Sequence, residues 1–311
     1  MKIEVTPENA GMRLDKFLVS QVPGRTRSQL QKMIKNGLVT IAGQKVTVHR
    51  FLKTNDNIEV KTGLVEEKVD THDLNVTYED PSYLIVNKPI GLLMHPSDTQ
   101  SKGTLTDMVI KKYPEVDHVG DDINAPGLVS RLDRDVSGLV VVARNQDAYE
   151  HLKAQFSKRL VDKIYIALVW GKVKNDQGII DLPIGRGRQG TMAAHPQVRG
   201  AKLSESDRQA LTEYKVLRRI GNFSLLEIKI KTGRTHQIRV HLKAIGHPIV
   251  GDPLYKVRRF ANLFKRHHID RPFLHSQTIS FFDPKHVWQT YTSELPNELN
   301  NYLSSLDAKA K

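Results

Sequence analysis

The most constraining feature of this chain is an abrupt reversal of charge early in the sequence. Residues 1–62 hold eleven Lys and Arg against five Asp and Glu, whereas residues 63–82 hold six acids against one lysine. A sign change that sharp marks a boundary or linker. It predicts a small basic domain over residues 1–62, an acidic linker over 63–82 and a second domain over 83–311. A chain of 311 residues accommodates that division, since domains typically run from about 50 to 250 residues.

Composition narrows the chemistry. The chain contains no cysteine, which excludes disulfide scaffolds, thiolate nucleophiles, cysteine zinc sites and iron–sulfur clusters. Its 39% hydrophobic and 26% charged residues suit a folded protein, so the net charge of +13 is carried by folded domains and not by disorder. Apolar runs such as Gly138 to Ala143 fall far short of the roughly 20 residues needed to span a bilayer. The N-terminus meets Glu4 almost at once and has no long apolar stretch, unlike a secretory signal. A cytoplasmic protein with a nucleic-acid partner is expected.

Within the basic domain, Arg13 to Ser20 reads as a helix with Leu14, Phe17 and Leu18 on one face. Ser28 is placed to cap a second helix in which Leu30, Met33, Ile34 and Leu38 share a face, with Gly37 as its stop. Lys32 and Lys35 lie opposite that face, and Arg25 and Arg27 stand just before the helix, a natural place for phosphate. Alternating runs at 38–41 and 45–48 and a segment at 58–60 complete a small hairpin sheet. The order Arg13-Leu14-Asp15-Lys16-Phe17-Leu18, Arg27-Ser28-Gln29-Leu30, Ile34-Lys35-Asn36-Gly37-Leu38-Val39, Ala42-Gly43 and Asp56-Asn57-Ile58-Glu59-Val60 resembles the alpha-L RNA-binding module of a small-subunit ribosomal protein. The resemblance implies that the basic face binds RNA, against the plainer reading of a solvated charged face.

From Tyr83 onward strands and helices mix. Strands are expected at 84–86, 139–142, 164–170, 214–216 and 223–230, and helices at 148–156 and 235–242. Joining strands by both turns and helices favours an α+β fold with a mixed, mainly antiparallel sheet. Gly185 to Asp207 reads as a long loop or flexible insertion.

Phosphate-loop, nucleophile-elbow and zinc-pair signatures are absent, and nothing points to a metal or cofactor. Two stretches carry charge in a chemically useful pattern. In Gly127 to Gly138, Asp133 and Asp135 lie among Arg131 and Arg134 just before an apolar strand, so that a carboxylate there stays ionised. Either acid could serve as nucleophile or base, or simply complete an ion pair. Lys231 to Leu242 sets Gly233, Arg234 and other donors at a helix start, where they could hold an anion or a carboxylate.

Four segments together resemble the signature set of the RluA-type pseudouridine synthases, which isomerise uridines in ribosomal and transfer RNA. They are Asn87 to Pro96, Arg131-Leu132-Asp133, Lys163 to Gly171, and Gly233 to Leu242 continuing through Gly246 to Asp252. Leu274-His275-Ser276 and Phe281 to Pro284 fit the family's closing strand. Ser130 stands where the family has histidine, and Val136 where it has threonine.

The resemblance implies roles residue by residue. Asp133 becomes the catalytic aspartate, in preference to Asp135, Tyr165 the active-site tyrosine beside the target base, and Arg234 the arginine that pairs with the aspartate. Arg131 would enter the gap left by a flipped uridine, and Leu274 would face the uracil. The reaction breaks the bond between base and ribose, turns the base and rejoins it through carbon 5, so it needs no cofactor. The expected substrate is large-subunit ribosomal RNA, with transfer RNA as the alternative, and the expected protein is a monomer. Rival readings are a non-catalytic RNA-binding or ribosome-assembly protein and a nucleoside hydrolase that attacks the same bond.

Overall fold

A computed structural model of the protein describes residues 1–22, 27–35, 37–60, 73–97, 100, 102–187, 190–195 and 207–310. The chain divides into two units, Met1–Thr71 with Pro96–Gly103, and His72–His95 with Thr104–Lys311.

In the first unit β1 (Lys2–Glu4) is followed by α1 (Leu14–Gln21), α2 (Arg27–Lys35), β2 (Val39–Ile41), β3 (Gln44–Lys45) and β4 (Asn57–Val60). The sheet order is β1-β4-β2-β3. Apolar residues spaced every three or four positions make the helices amphipathic, and Leu14, Phe17, Leu18, Leu30, Met33 and Ile34 bury that stripe against Val39, Ile41, Ile58 and Val60. Gly37, with φ of +72°, lets its own amide and that of Leu38 turn back onto the carbonyls of Ile34 and Met33, which stops α2. α2 is described from Arg27, and the side chain of Ser28, expected as its cap, lies outside the described residues. β1, too short to show a period, pairs with β4 through Ile3 and Ile58.

The second unit contains β5 (Val76–Glu79), β6 (Tyr83–Lys88), α3 (Leu105–Lys112), β7 (Ser137–Ala143), α4 (Gln146–Ser157), β8 (Asp162–Trp170), β9 (Gln177–Asp181), β10 (Ile184–Arg186), β11 (Met192–Ala194), β12 (Leu211–Ile220), β13 (Phe223–Ile230), α5 (Gln237–Ala244), α6 (Ala261–Arg266), β14 (Leu274–Phe282), β15 (Trp288–Thr292) and α7 (Asn297–Ala310). Nine strands form one sheet in the order β5-β6-β7-β14-β8-β13-β12-β9, with β15 beside β14. Its pairings are antiparallel except for β7 with β14, so the class is α+β as expected.

β7 is buried at all seven residues because both faces are covered. Leu139, Val141 and Ala143 pack with Ala148, Tyr149 and Leu152 of α4, while Val140 and Val142 pack with Leu105 and Val109 of α3. The parallel contact with β14 joins Ser137 to His275 and Gly138 to Ser276. A Cβ on Gly138 would lie 2.2 Å from the Ser276 carbonyl oxygen, and its φ is +122°. Only glycine lets the two strands close here, and their closure brings the loop before β7 beside the start of β14.

Two expectations are corrected. The acidic stretch 63–82 is not linker throughout: Val76–Glu79 forms β5, an edge strand whose exposed polar residues hid its pairing to β6 through Val76, Tyr78 and Glu79. The loop expected over 185–207 contains the β10–β11 hairpin, in which Ile184 pairs with Ala194 and Arg186 with Met192. Its strands are short and their anchor, Ile184, lies just outside the polar stretch. Among the described residues, no helix is long and apolar enough to cross a membrane.

Candidate active site

Asp133 lies in the turn that feeds β7. The Val136 amide closes that turn on the Asp133 carbonyl at 3.1 Å, and the Arg134 carbonyl accepts from the Gly91 amide at 2.9 Å. Lys88, fully buried at the end of β6, donates to the same Arg134 carbonyl. The loop is therefore tied from both sides, and the Asp133 side chain remains partly open to solvent.

The arginine that meets Asp133 is Arg239, not Arg234. Arg239 Nη1 donates to Asp133 Oδ2 at 3.0 Å, and the rest of its guanidinium grips Asp252, with Nε to Oδ2 at 2.7 Å and Nη2 to Oδ1 at 3.0 Å. The exposed Arg234 instead donates through Nε to the Gln209 carbonyl at 3.2 Å. The difference follows from where the helix starts. α5 begins at Gln237, whose side chain is fixed by the Thr232 hydroxyl and the Arg234 amide, and this places Arg239 inward in the first turn. Burial opposes the Arg239 charge, but Asp252 and then Asp133 hold its pKa above the ordinary value. Asp252 is itself buried and accepts from the Leu254 and Tyr255 amides, so the fork has a fixed aim.

Tyr165, on β8 opposite Ser276, is buried close to Asp133. Burial, opposed by its bond with Ser276 and reinforced by the Asp133 charge, pushes its pKa up to about 12, so it is a neutral phenol at physiological pH. Leu274 is buried in the same cluster as Tyr165 and Val136, with Leu132 packed against it. Arg131 is exposed and forms no ion pair among the described residues. The structure thus gathers Asp133, Tyr165 and Leu274, leaves Arg131 without an ion pair among the described residues, and replaces Arg234 by Arg239.

Sequence reasoning missed Asp252, His236, Tyr255 and Lys88. His236 Nε2 lies 3.9 Å from Asp133 Oδ2, and its Nδ1 is 2.7 Å from the Tyr255 hydroxyl. The Arg239 guanidinium lies over the Tyr255 ring at 5.1 Å. The density of donors between 231 and 242 was a visible signal, but its partners at 252 and 255 are joined to it only by the fold.

In the first unit, Arg27 does not stand free. Its Nε and Nη2 donate to Asp15 at 2.9 and 2.7 Å, together with Arg13 and Gln31. Burial alone would raise the Asp15 pKa, but bonds from Gln31, Arg27 and Arg13 lower it to about 2. Arg25 and the side chains of Lys32 and Lys35 lie outside the described residues.

Comparison with known proteins gives the family and the fold. The family described as RNA pseudouridylate synthase matches residues 82–244, and the S4 domain matches residues 12–58. An uncharacterised RNA pseudouridine synthase of Chloroflexus aurantiacus is 37% identical over 315 residues, covering 99% of this chain and 94% of that one. The ribosomal large subunit pseudouridine synthase D of Nitrosomonas europaea is 37% identical over 260 residues, covering 81% and 72%. The solved human RNA pseudouridylate synthase domain containing 4 shares the fold, with a TM-score of 0.58 over 75% of this chain and 92% of that one at 24% identity.

Proposed function

The chain belongs to the RNA pseudouridylate synthase family and carries an N-terminal S4 domain, and from that premise we propose that it converts selected uridines of large-subunit ribosomal RNA into pseudouridine through Asp133. The observation that carries the reading is the Asp133 carboxylate held on one oxygen. Oδ2 is fixed by Arg239, while Oδ1 has no hydrogen bond among the described residues. An ionised carboxylate with one oxygen free can attack the anomeric carbon of ribose or stabilise positive charge developing there. The base then turns and rejoins through carbon 5, which gives up its proton while the freed ring nitrogen takes one up, so that the product has the composition of the substrate.

The buried phenol of Tyr165 would pack against the turned base. A stacked uridine must leave the helix first, at a cost of a few kcal/mol, and the unpaired Arg131 would fill the gap. The S4 unit would supply affinity through phosphate contacts, which position RNA without reading its sequence. The similarity to a ribosomal large subunit pseudouridine synthase supports ribosomal RNA as the substrate. A pseudouridine map of total RNA from cells with and without the gene tests it. Loss of sites from large-subunit ribosomal RNA is the expected result, and loss confined to transfer RNA would overturn the choice of substrate.

A further inference from the structure

His236 takes no part in the reading above, yet its backbone has φ of +56° and ψ of 21°, a left-handed conformation that few residues adopt, at the position before α5. It makes no side-chain cap there. The conformation instead sets the imidazole between two hydroxyl and carboxylate oxygens, Tyr255 Oη at 2.7 Å from Nδ1 and Asp133 Oδ2 at 3.9 Å from Nε2.

The protons on this chain of contacts can be assigned. The Tyr255 hydroxyl and His236 Nδ1 share one proton along their 2.7 Å contact. A neutral phenol has its own proton to give, and giving it to His236 Nδ1 leaves the ring proton on the far nitrogen. Nδ1 becomes the acceptor, and the ring proton of the neutral imidazole sits on Nε2, aimed at Asp133. The opposite tautomer would set a bare nitrogen lone pair against a carboxylate oxygen. Burial favours the neutral ring, against the pull of Asp133, and the remaining charges facing it are Arg239, Asp252 and Asp135. Nδ1 is occupied by the tyrosine proton, so the ring is built as a donor and not as a base.

We propose that His236 is a positioning residue for Asp133, held by Tyr255 as its Nε2–H tautomer and closing onto Oδ2 as the uridine seats. The inference rests on Asp133 as the catalytic carboxylate. Arg239 alone gives Oδ2 one fixed donor. A second donor on the same oxygen pins the carboxylate plane, so that Oδ1 faces the sugar. The Tyr255 ring, packed with Ile184, Ala210 and Val240, fixes the far end of the chain of contacts. Met192 and Ala194 of the β10–β11 hairpin pack against the same cluster.

The test uses the full-length protein. Nitrogen-15 spectra of its histidine rings at about pH 8, with the His236 signals identified by their loss in His236→Gln, should show the Nε2–H form, and Tyr255→Phe should convert it to a mixture of tautomers. In single-turnover assays on an unmodified large-subunit ribosomal RNA transcript, Tyr255→Phe and His236→Ala should slow pseudouridine formation roughly 10- to 100-fold, the size of a lost hydrogen bond to a charge. RNA affinity should stay within about twofold, and His236→Gln, which keeps a donor at the ε position, should recover most of the loss. An Nδ1–H ring in the wild-type protein, or an unchanged rate in His236→Ala, would overturn the proposal. Activity persisting in Asp133→Asn would instead remove the reading on which it rests, and the tautomer, measured without RNA, distinguishes the two failures.

Discussion

Lys88 donates to the carbonyl of Arg134, the residue after Asp133, at 3.1 Å. The same ammonium donates to the Pro89 and Leu92 carbonyls at 2.9 Å each, so all three of its N–H groups serve backbone oxygens. Burial, reinforced by the Arg271 charge and opposed by Asp133 and Asp135, pulls its pKa down to about 7. Lys88→Met fills similar space but leaves those carbonyls without their donor. It should cost about 1–3 kcal/mol of stability, seen as a lower urea midpoint, and should lower the rate in the protein that stays folded because the Asp133 loop loses one of its two ties. An unchanged midpoint would contradict this account.

The two aspartates of the loop differ in what holds them. Asp133 receives one N–H of Arg239, whereas no ion pair forms on Asp135 among the described residues. Asp133→Asn should reduce pseudouridine formation by roughly 10³-fold or more while RNA affinity stays nearly unchanged. Asp135→Asn should retain activity within about tenfold. Equal losses in both, measured on the same transcript, would show that the loop's charge matters and not the position of one carboxylate.

Arg239 and Arg234 make a sharper pair. Arg239 uses its whole planar fork, with Nε and Nη2 on Asp252 and Nη1 on Asp133, a geometry lysine cannot reproduce. Arg239→Lys should therefore lower both stability and rate, and Arg239→Ala, which strands the buried Asp252, should cost about 3–5 kcal/mol. Arg234→Ala should change the melting temperature little, since only an exposed contact to the Gln209 carbonyl is lost. Thermal unfolding of the three variants checks the ranking.

These two arginines also show where the sequence stops being readable. Apolar spacing located both helices of the S4 unit and most central strands, because a buried stripe or run leaves a period that burial enforces. The acid-and-arginine loop was legible as chemistry for the same local reason. The choice between Arg234 and Arg239 was not, since it depends on a helix that starts two residues later than its composition suggests and on Asp252, thirteen residues beyond Arg239. β5 was hidden in an acidic stretch because its register is set by β6 and its own side chains stay largely exposed.

Acid should loosen the S4 unit first at Asp15. Its folded pKa of about 2 lies below the ordinary aspartate value of 3.8, so the folded form binds fewer protons between those values. The stabilisation is complete above about pH 4 and is lost as pH falls through the folded pKa. Asp15→Asn should be less stable than the wild type at pH 5, by about 1–3 kcal/mol for the lost charged hydrogen bonds, and the gap should narrow towards pH 2. A gap independent of pH, in urea unfolding followed by signals from residues 1–60, would mean that packing and not charge makes the difference.

Arg131 separates base flipping from simple charge. Its side chain is exposed beside Asp133 and has no ion pair among the described residues, so removing it should not disturb the fold. If it occupies the space vacated by a flipped uridine, its value appears only where a stacked position has to be emptied. Arg131→Ala should then slow modification of a folded RNA roughly tenfold or more, yet act almost as well as the wild type on a short unstructured strand carrying the same uridine. A phosphate-binding arginine would behave differently: both substrates would lose affinity together, and the loss would shrink as salt is raised, because that contribution is already screened. Equal losses on the two RNAs, with that salt dependence, would assign Arg131 to the backbone and remove it from the flipping step.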